Sequence, residues 1–434
     1  MESFNSTVAT FLNPQGPDAR PLPRVSFGAV NRAGTFKYLK TFGNDSQPGS
    51  NADPSDDVDA LWTISSSTKF ITTIAALQCV DKGLLTLDGD IGDVLPEWKN
   101  PNILTGFTET DEPVFVPAKN TVTLRGMAYA FESETLQKYQ ELRGPQPHPT
   151  TVKEAYELFL VEEPGTKWMY SPGMDWAGLM VRIHRARDQP LPGHLHATPH
   201  LHPPLPPPLL HPLPPRPPPL PPPPRTPATF RRDPANPSLL VPIPDPSAPT
   251  TDDFGGGGLV ATAPALLAIY AAILHDADDD DDDNNNNEQP PLLLTRATAA
   301  EIFTPQLDAA SRRGLRSIET VDPGALCGVP RGSPIQYGLG GLLNVEDVVV
   351  LIPSGDGGRG QRRGRKEGSL AWSGMRNFYF WIDRRAGVAG LQAMHHLPCG
   401  DERTVGLLGA FEGAVYEAVE AVAGGAEGEG GGVR

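Results

Sequence analysis

The 434 residues can bury a large core, and 52 acidic against 36 basic side chains leave a formal charge of −16. That balance argues against a nucleic-acid surface, which needs clustered Lys and Arg, although much of the excess is one run, Asp276 with Asp278–Asp283. Three cysteines (Cys79, Cys327, Cys399) without a C-x-x-C fit a reducing compartment and exclude a metal knuckle, and Cys79 reads as plain core.

The N-terminus, Met-Glu-Ser-Phe-Asn-Ser-Thr-Val, lacks the blocks of a signal peptide, and no apolar stretch reaches the ~20 residues that cross a bilayer. The expectation is a soluble, cytoplasmic protein that does not engage a membrane. Val25–Val30 and Thr35–Tyr38 then flank Asn31-Arg32-Ala33-Gly34 as a β-hairpin, with the glycine supplying a positive φ.

Ser66-Ser67-Thr68-Lys69 forms an S-x-x-K at the mouth of a predicted helix, with Phe70, Ile74, Leu77 and Val80 on one buried stripe. A serine hydroxyl is a poor nucleophile until a base takes its proton. Positions i and i+3 share a helix face, so Lys69 can reach the Ser66 oxygen. The helix N-terminus adds free N–H groups and a positive dipole end where an oxyanion would form. The plain alternative is a capping Ser or Thr with its lysine in solvent. The stripe beside Lys69 weighs against it, because burial there desolvates the amine.

Beyond Arg187, about half the residues from Pro190 to Arg225 are proline, and five of the ten histidines fall there. Such a segment reads as polyproline-II-like or disordered, and its histidines as compositional bias rather than a metal site. Gly255–Gly258 lacks the Lys-Ser/Thr of a phosphate loop and reads as a tight turn beside a cleft. The Asp/Asn run at 276–287 reads as a solvated loop without the turn glycine of a calcium site. Asn377–Ile382 and Val388–Ala393, joined by Asp383–Gly387, predict a second hairpin. Thr404–Val422 predicts a C-terminal helix, and Gly424–Arg434 a tail without a core. Hairpins at both ends imply an antiparallel sheet closed by the two termini and packed against helices.

Further segments carry a family resemblance. S-x-x-K opens an "LQxVxxGLLxLD" helix, and Pro164-Gly165-Thr166 leads through Tyr170-Ser171 into Asp175-Trp176-Ala177-Gly178. With Val116–Arg125, Phe254–Leu259, Phe303–Leu307 and Trp372–Asp383, the chain resembles the serine β-lactamase-related superfamily. That group includes class C β-lactamases, D-Ala-D-Ala peptidases and lactamase-fold esterases, and the resemblance is nearest to its fungal acyltransferase branch. It implies an α+β, transpeptidase-like fold with a helical subdomain. It also implies Ser66 as nucleophile, Lys69 as its base and Tyr170 as second base or proton shuttle. A phenol and an amine side by side can share one proton and titrate as a unit.

By the same resemblance Trp372-Ser373-Gly374-Met375 occupies the K-T-G strand. The backbone N–H groups of Ser66 and Met375 would form the oxyanion hole, and Trp372, Ser373 and Gly374 would touch substrate. Pro172 replaces the lactamase asparagine, Trp372 replaces the K-T-G cation, and Tyr129–Ser133 replaces a His-Thr-Ser-Gly turn. The first two changes favour an uncharged small-molecule acyl ester or thioester over a penicillin or peptide. No metal or organic cofactor is implied.

The expected organisation is a catalytic domain split into 1–189 and 251–422, with an acidic loop at 276–288 and a Gly-rich tail at 423–434. The insert at 190–250 reads as disordered or as translated intron. Two rivals follow: a β-lactamase or D-Ala-D-Ala carboxypeptidase, and an inactive relative whose P-x-x-P matches, such as Pro203–Pro206, dock SH3- or WW-type domains.

Overall fold

The computed structural model describes residues 1–15, 20–43, 54–55, 57–125, 133–188, 226–244, 250–277, 292–316, 318, 326–353 and 359–429. The tract 190–225, most of the acidic run and residues 129–132 of the altered turn lie outside them.

An eight-stranded antiparallel sheet runs in the order Ile335–Tyr337, Leu342–Asn344, Leu370–Gly374, Phe378–Asp383, Val388–Met394, Val25–Asn31, Lys37–Phe42, Pro54–Ser55. Val25 pairs with Met394 and Asn31 with Val388, so the two ends of the chain close the sheet, as the hairpins imply. The first hairpin is shifted from its expected bounds. Asn31 Oδ1 accepts the Phe36 N–H at 2.9 Å and widens the turn, so the return strand starts at Lys37 and runs to the fully buried Phe42.

Both faces of the sheet are covered, giving an α+β sandwich of helix, sheet and helix. The helices Glu2–Leu12 and Glu402–Glu429 pack on one face through Phe4, Phe27 and Phe411. On the other face Thr68–Asp81 and Ala263–Asp276 pack through Phe70, Tyr270 and Phe380, whose rings lie 4.9 to 6.1 Å apart. A third cluster, from Ala76 and Cys79 to Trp98, Trp176 and Met180, forms the core of the helical region beyond. No helix among the described residues is long and apolar enough to cross a membrane.

Three expectations are corrected. The insert 190–250 is not without structure throughout: Thr229–Arg232 pairs with Leu240–Ile243 and, in parallel, with His396–Leu397. Phe230 is buried there, and Arg232 forms an ion pair with Asp401 at 2.6 Å. Asp276 belongs to no solvated loop; it is buried at a helix end and accepts the N–H groups of Leu293 and Leu294 at 2.8 and 2.9 Å. The C-terminal helix spans Glu402–Glu429, so the expected tail is helical as far as Glu429.

Candidate active site

A two-stranded ribbon pins the site. Leu61–Thr63 pairs with Val260–Thr262, which holds the end of the Gly255–Gly258 turn beside the start of the Thr68–Asp81 helix. Ile64 N–H donates to Leu259 O and Leu259 N–H to Thr68 Oγ1, both at 3.1 Å. Between ribbon and helix, Ser65–Ser67 form one tight 3₁₀ turn, and Ser65 takes a φ of +46°, a left-handed conformation rare outside glycine. Ser66 is thereby lifted to the helix mouth, half-exposed between buried neighbours.

Lys69 and Tyr170 converge on it. Lys69 Nζ donates to Ser66 Oγ at 3.3 Å, and the Tyr170 hydroxyl donates to the same oxygen at 2.6 Å across 104 residues of sequence. Lys69 is buried and also lies 4.7 Å from the centre of the Tyr170 ring. Its ammonium donates to the Gly256 carbonyl at 2.7 Å. The helix is buried on most of its circumference, not along one stripe, because Thr68, Thr72, Thr73 and Ala76 are covered as well.

The strand Leu370–Gly374 forms the opposite wall. It is not an edge strand over its whole length, since Leu342–Asn344 pairs its first two residues, Leu370 and Ala371. Trp372–Gly374 run past that short partner, and there the strand meets the serine turn. A Cβ on Gly374 would lie 2.2 Å from Ile64 O, so only glycine allows this approach. Met375 follows at the strand end, its side chain 54% exposed and its backbone N–H beside that junction. Trp372 is buried, with ring centroids 6.0 Å from Tyr170 and 5.4 Å from an edge-on Tyr337. Its indole N–H has no acceptor among the described residues. Ser373 is not brought to the site: strand alternation turns it with Ala371 towards the face covered by the C-terminal helix.

Some participants were not read from sequence. Trp168 lies nearly parallel to Tyr170 at 6.4 Å and 5.3 Å from Tyr337, completing an aromatic wall. Desolvation pushes the Tyr337 phenol well above its ordinary range, and Tyr170 and Cys327 add to it. Tyr337 has no motif around it. The Gly255–Gly258 turn was expected, but its hold on Lys69 was not. A cleft of ≈ 420 Å³ is lined by Lys69 and Tyr170 together with Leu77, Ile91, Leu124 and Met180. Such walls receive an apolar group beside a proton-transfer pair. Among the described residues, no three His, Cys, Asp or Glu side chains are disposed to hold a metal.

A family model described as Beta-lactamase matches residues 24–398. Acyltransferase calJ of Penicillium decumbens is 32% identical over 369 residues, covering 82% of this chain and 80% of that protein. Lovastatin esterase of Penicillium rubens is 38% identical over 162 residues, covering 35% of this chain and 40% of that protein. A solved simvastatin synthase from Aspergillus terreus (LovD6 mutant) aligns with a TM-score of 0.69 at 22% identity, over 96% of this chain and 94% of that one. That last likeness is one of fold.

Proposed function

This chain belongs to the β-lactamase family, and from that premise we propose a serine esterase or acyltransferase working through an acyl-enzyme at Ser66. The observation that carries the reading is the meeting of Lys69 Nζ and the Tyr170 hydroxyl on one serine oxygen, at 3.3 and 2.6 Å. With the Lys69–Tyr170 pair one proton short of full, as amine and phenol or as ammonium and phenolate, the Ser66 proton passes to it as Oγ attacks the acyl carbon. The N–H groups of Ser66 and Met375 receive the oxyanion. The pair then protonates the leaving oxygen or sulfur as its bond to the acyl carbon breaks. In the second half, water or an alcohol gives its proton to the same pair, attacks the acyl carbon, and Ser66 Oγ leaves with the proton restored.

The substrate is an uncharged acyl ester or thioester. Trp372 stands where the resemblance puts a lactamase cation, so a buried, uncharged indole beside Tyr170 replaces the charge that would hold a substrate carboxylate. The relatives named acyltransferase and esterase support the same acyl chemistry. The test compares p-nitrophenyl butyrate with nitrocefin in wild type and Ser66→Ala. Ester turnover that disappears in the variant is expected. Nitrocefin turnover comparable to that of the ester would move the assignment to a β-lactamase, and equal ester turnover in both proteins would end it.

A further inference from the structure

We propose that Asp175 is a positioning residue for this reaction: through Gly256 it sets the carbonyl on which the Lys69 ammonium is held. The inference rests on the Ser66 acyl-enzyme reading above.

Asp175 sits in the first turn of the helix Gly173–Asp188 and is only 3% exposed. Its Oδ1 accepts the Gly256 N–H at 2.7 Å, and its Oδ2 accepts the Tyr156 hydroxyl at 2.9 Å. On the other side of the same residue, Gly256 O accepts from Lys69 Nζ at 2.7 Å. Thr72 Oγ1, one helical turn past Lys69, donates to Gly255 O at 2.7 Å and fixes the turn from below. A Cβ on Gly256 would fall 2.6 Å from Asp175 Oδ2, and one on Gly255 would fall 2.5 Å from Met174 O. The turn is therefore seated directly on the carboxylate and the helix start.

A side chain that only filled this space would be apolar, because a buried carboxylate is disfavoured unless its charge or its acceptors are needed. Here both are engaged. Burial raises the Asp175 carboxyl, while the Gly256 N–H, the Lys69 charge and the Tyr156 hydroxyl act against that rise. The titratable groups facing it are thus Lys69 and Tyr156. Orienting Gly256 confines Lys69 Nζ to the arc that reaches Ser66 Oγ.

Three variants, each checked for folding by thermal melt, separate the parts. The readout is the rate of Ser66 labelling by a fluorophosphonate, with kcat and KM for p-nitrophenyl butyrate resolved separately alongside. Asp175→Ala releases the turn and is expected to slow labelling about 10²-fold, the loss typical of a group displaced by an ångström. Asp175→Asn keeps an acceptor for the Gly256 N–H, so it is expected to restore labelling to within a few-fold of wild type. Tyr156→Phe leaves both the Gly256 contact and the charge and stays within a few-fold of wild type. A folded Asp175→Asn protein that labels about 10²-fold more slowly than wild type overturns the inference, whether or not Asp175→Ala folds. Wild-type protein that fails to label overturns the Ser66 reading itself and this inference with it. Equal labelling of wild type and a folded Asp175→Ala protein overturns the inference alone.

Discussion

Gly374→Ala tests the junction on which the proposed oxyanion hole of Ser66 and Met375 depends. The added Cβ would stand 2.2 Å from the Ile64 carbonyl oxygen, 3.0 Å from its carbon and 3.2 Å from Ser65 Cβ. Contact at rest needs about 3.5 Å, so strand and serine turn must part by roughly 1 Å. Both partners are backbone, and neither can swing aside as a side chain would. Overpacking of this kind costs about 1–3 kcal/mol of stability. The larger effect falls on the rate, because the gap separates the Ser66 and Met375 N–H groups. Loss of one such donor raises the barrier by about 3 kcal/mol, or 10²–10³-fold in kcat, with KM little changed. Gly257→Ala is the matched control: a Cβ there meets nothing within 4 Å, and its effect should stay within about 0.5 kcal/mol. Stopped-flow acylation by p-nitrophenyl butyrate and calorimetric melting read the two effects separately. A folded Gly374→Ala enzyme with kcat within twofold of wild type would refute the reasoning.

The remaining predictions address the base pair and the packing. Lys69→Met and Tyr170→Phe, which keep most of each side chain's bulk, should each lower kcat by about 10²–10⁴-fold; steady-state ester kinetics on the folded variants would show it. Burial holds the His396 imidazole down at about 4, with Asp401 raising and Arg232 lowering it. An unfolded chain titrates near ~6.5, so it takes up the proton first as pH falls. Stability is therefore full above ~6.5 and drains away down to about 4, by roughly 3 kcal/mol from this group. Urea melts at pH 7 and pH 4.5 should differ by less in His396→Asn. Asp401→Asn leaves Arg232 buried without its carboxylate, both side chains being under a tenth exposed, and should cost about 3–5 kcal/mol. A melting temperature unchanged by that substitution would contradict the packing of Thr229–Arg232 against the C-terminal segment.

What sequence revealed and what it hid follow from the range of the interactions. Ser66 and Lys69 are joined by helical periodicity, a local rule, and so could be read directly. Tyr170 could be linked to them through resemblance alone, since nothing local brings residues 104 positions apart together. The two hairpins were legible from turn glycines and alternation, but the first one's bounds moved where a side chain, Asn31, took over a turn hydrogen bond. Asp276 was misread because composition describes a run of aspartates, whereas burial is decided by what returns to cover it, here Leu293 and Leu294. Ser373 was grouped with its neighbours by motif, yet period-2 alternation sends it to the opposite face. The Lys69–Gly256–Asp175 chain hid for another reason: its central link is a backbone carbonyl, and backbone groups leave no mark in a sequence.

Intact-mass spectrometry after a brief exposure to p-nitrophenyl butyrate tests the central claim most directly. The account predicts a single butyryl adduct on the wild-type chain, mapped by peptide digestion to Ser66 and lacking in Ser66→Ala. An adduct that persists in Ser66→Ala, or ester turnover by wild type with the acyl group carried on another residue, would contradict it.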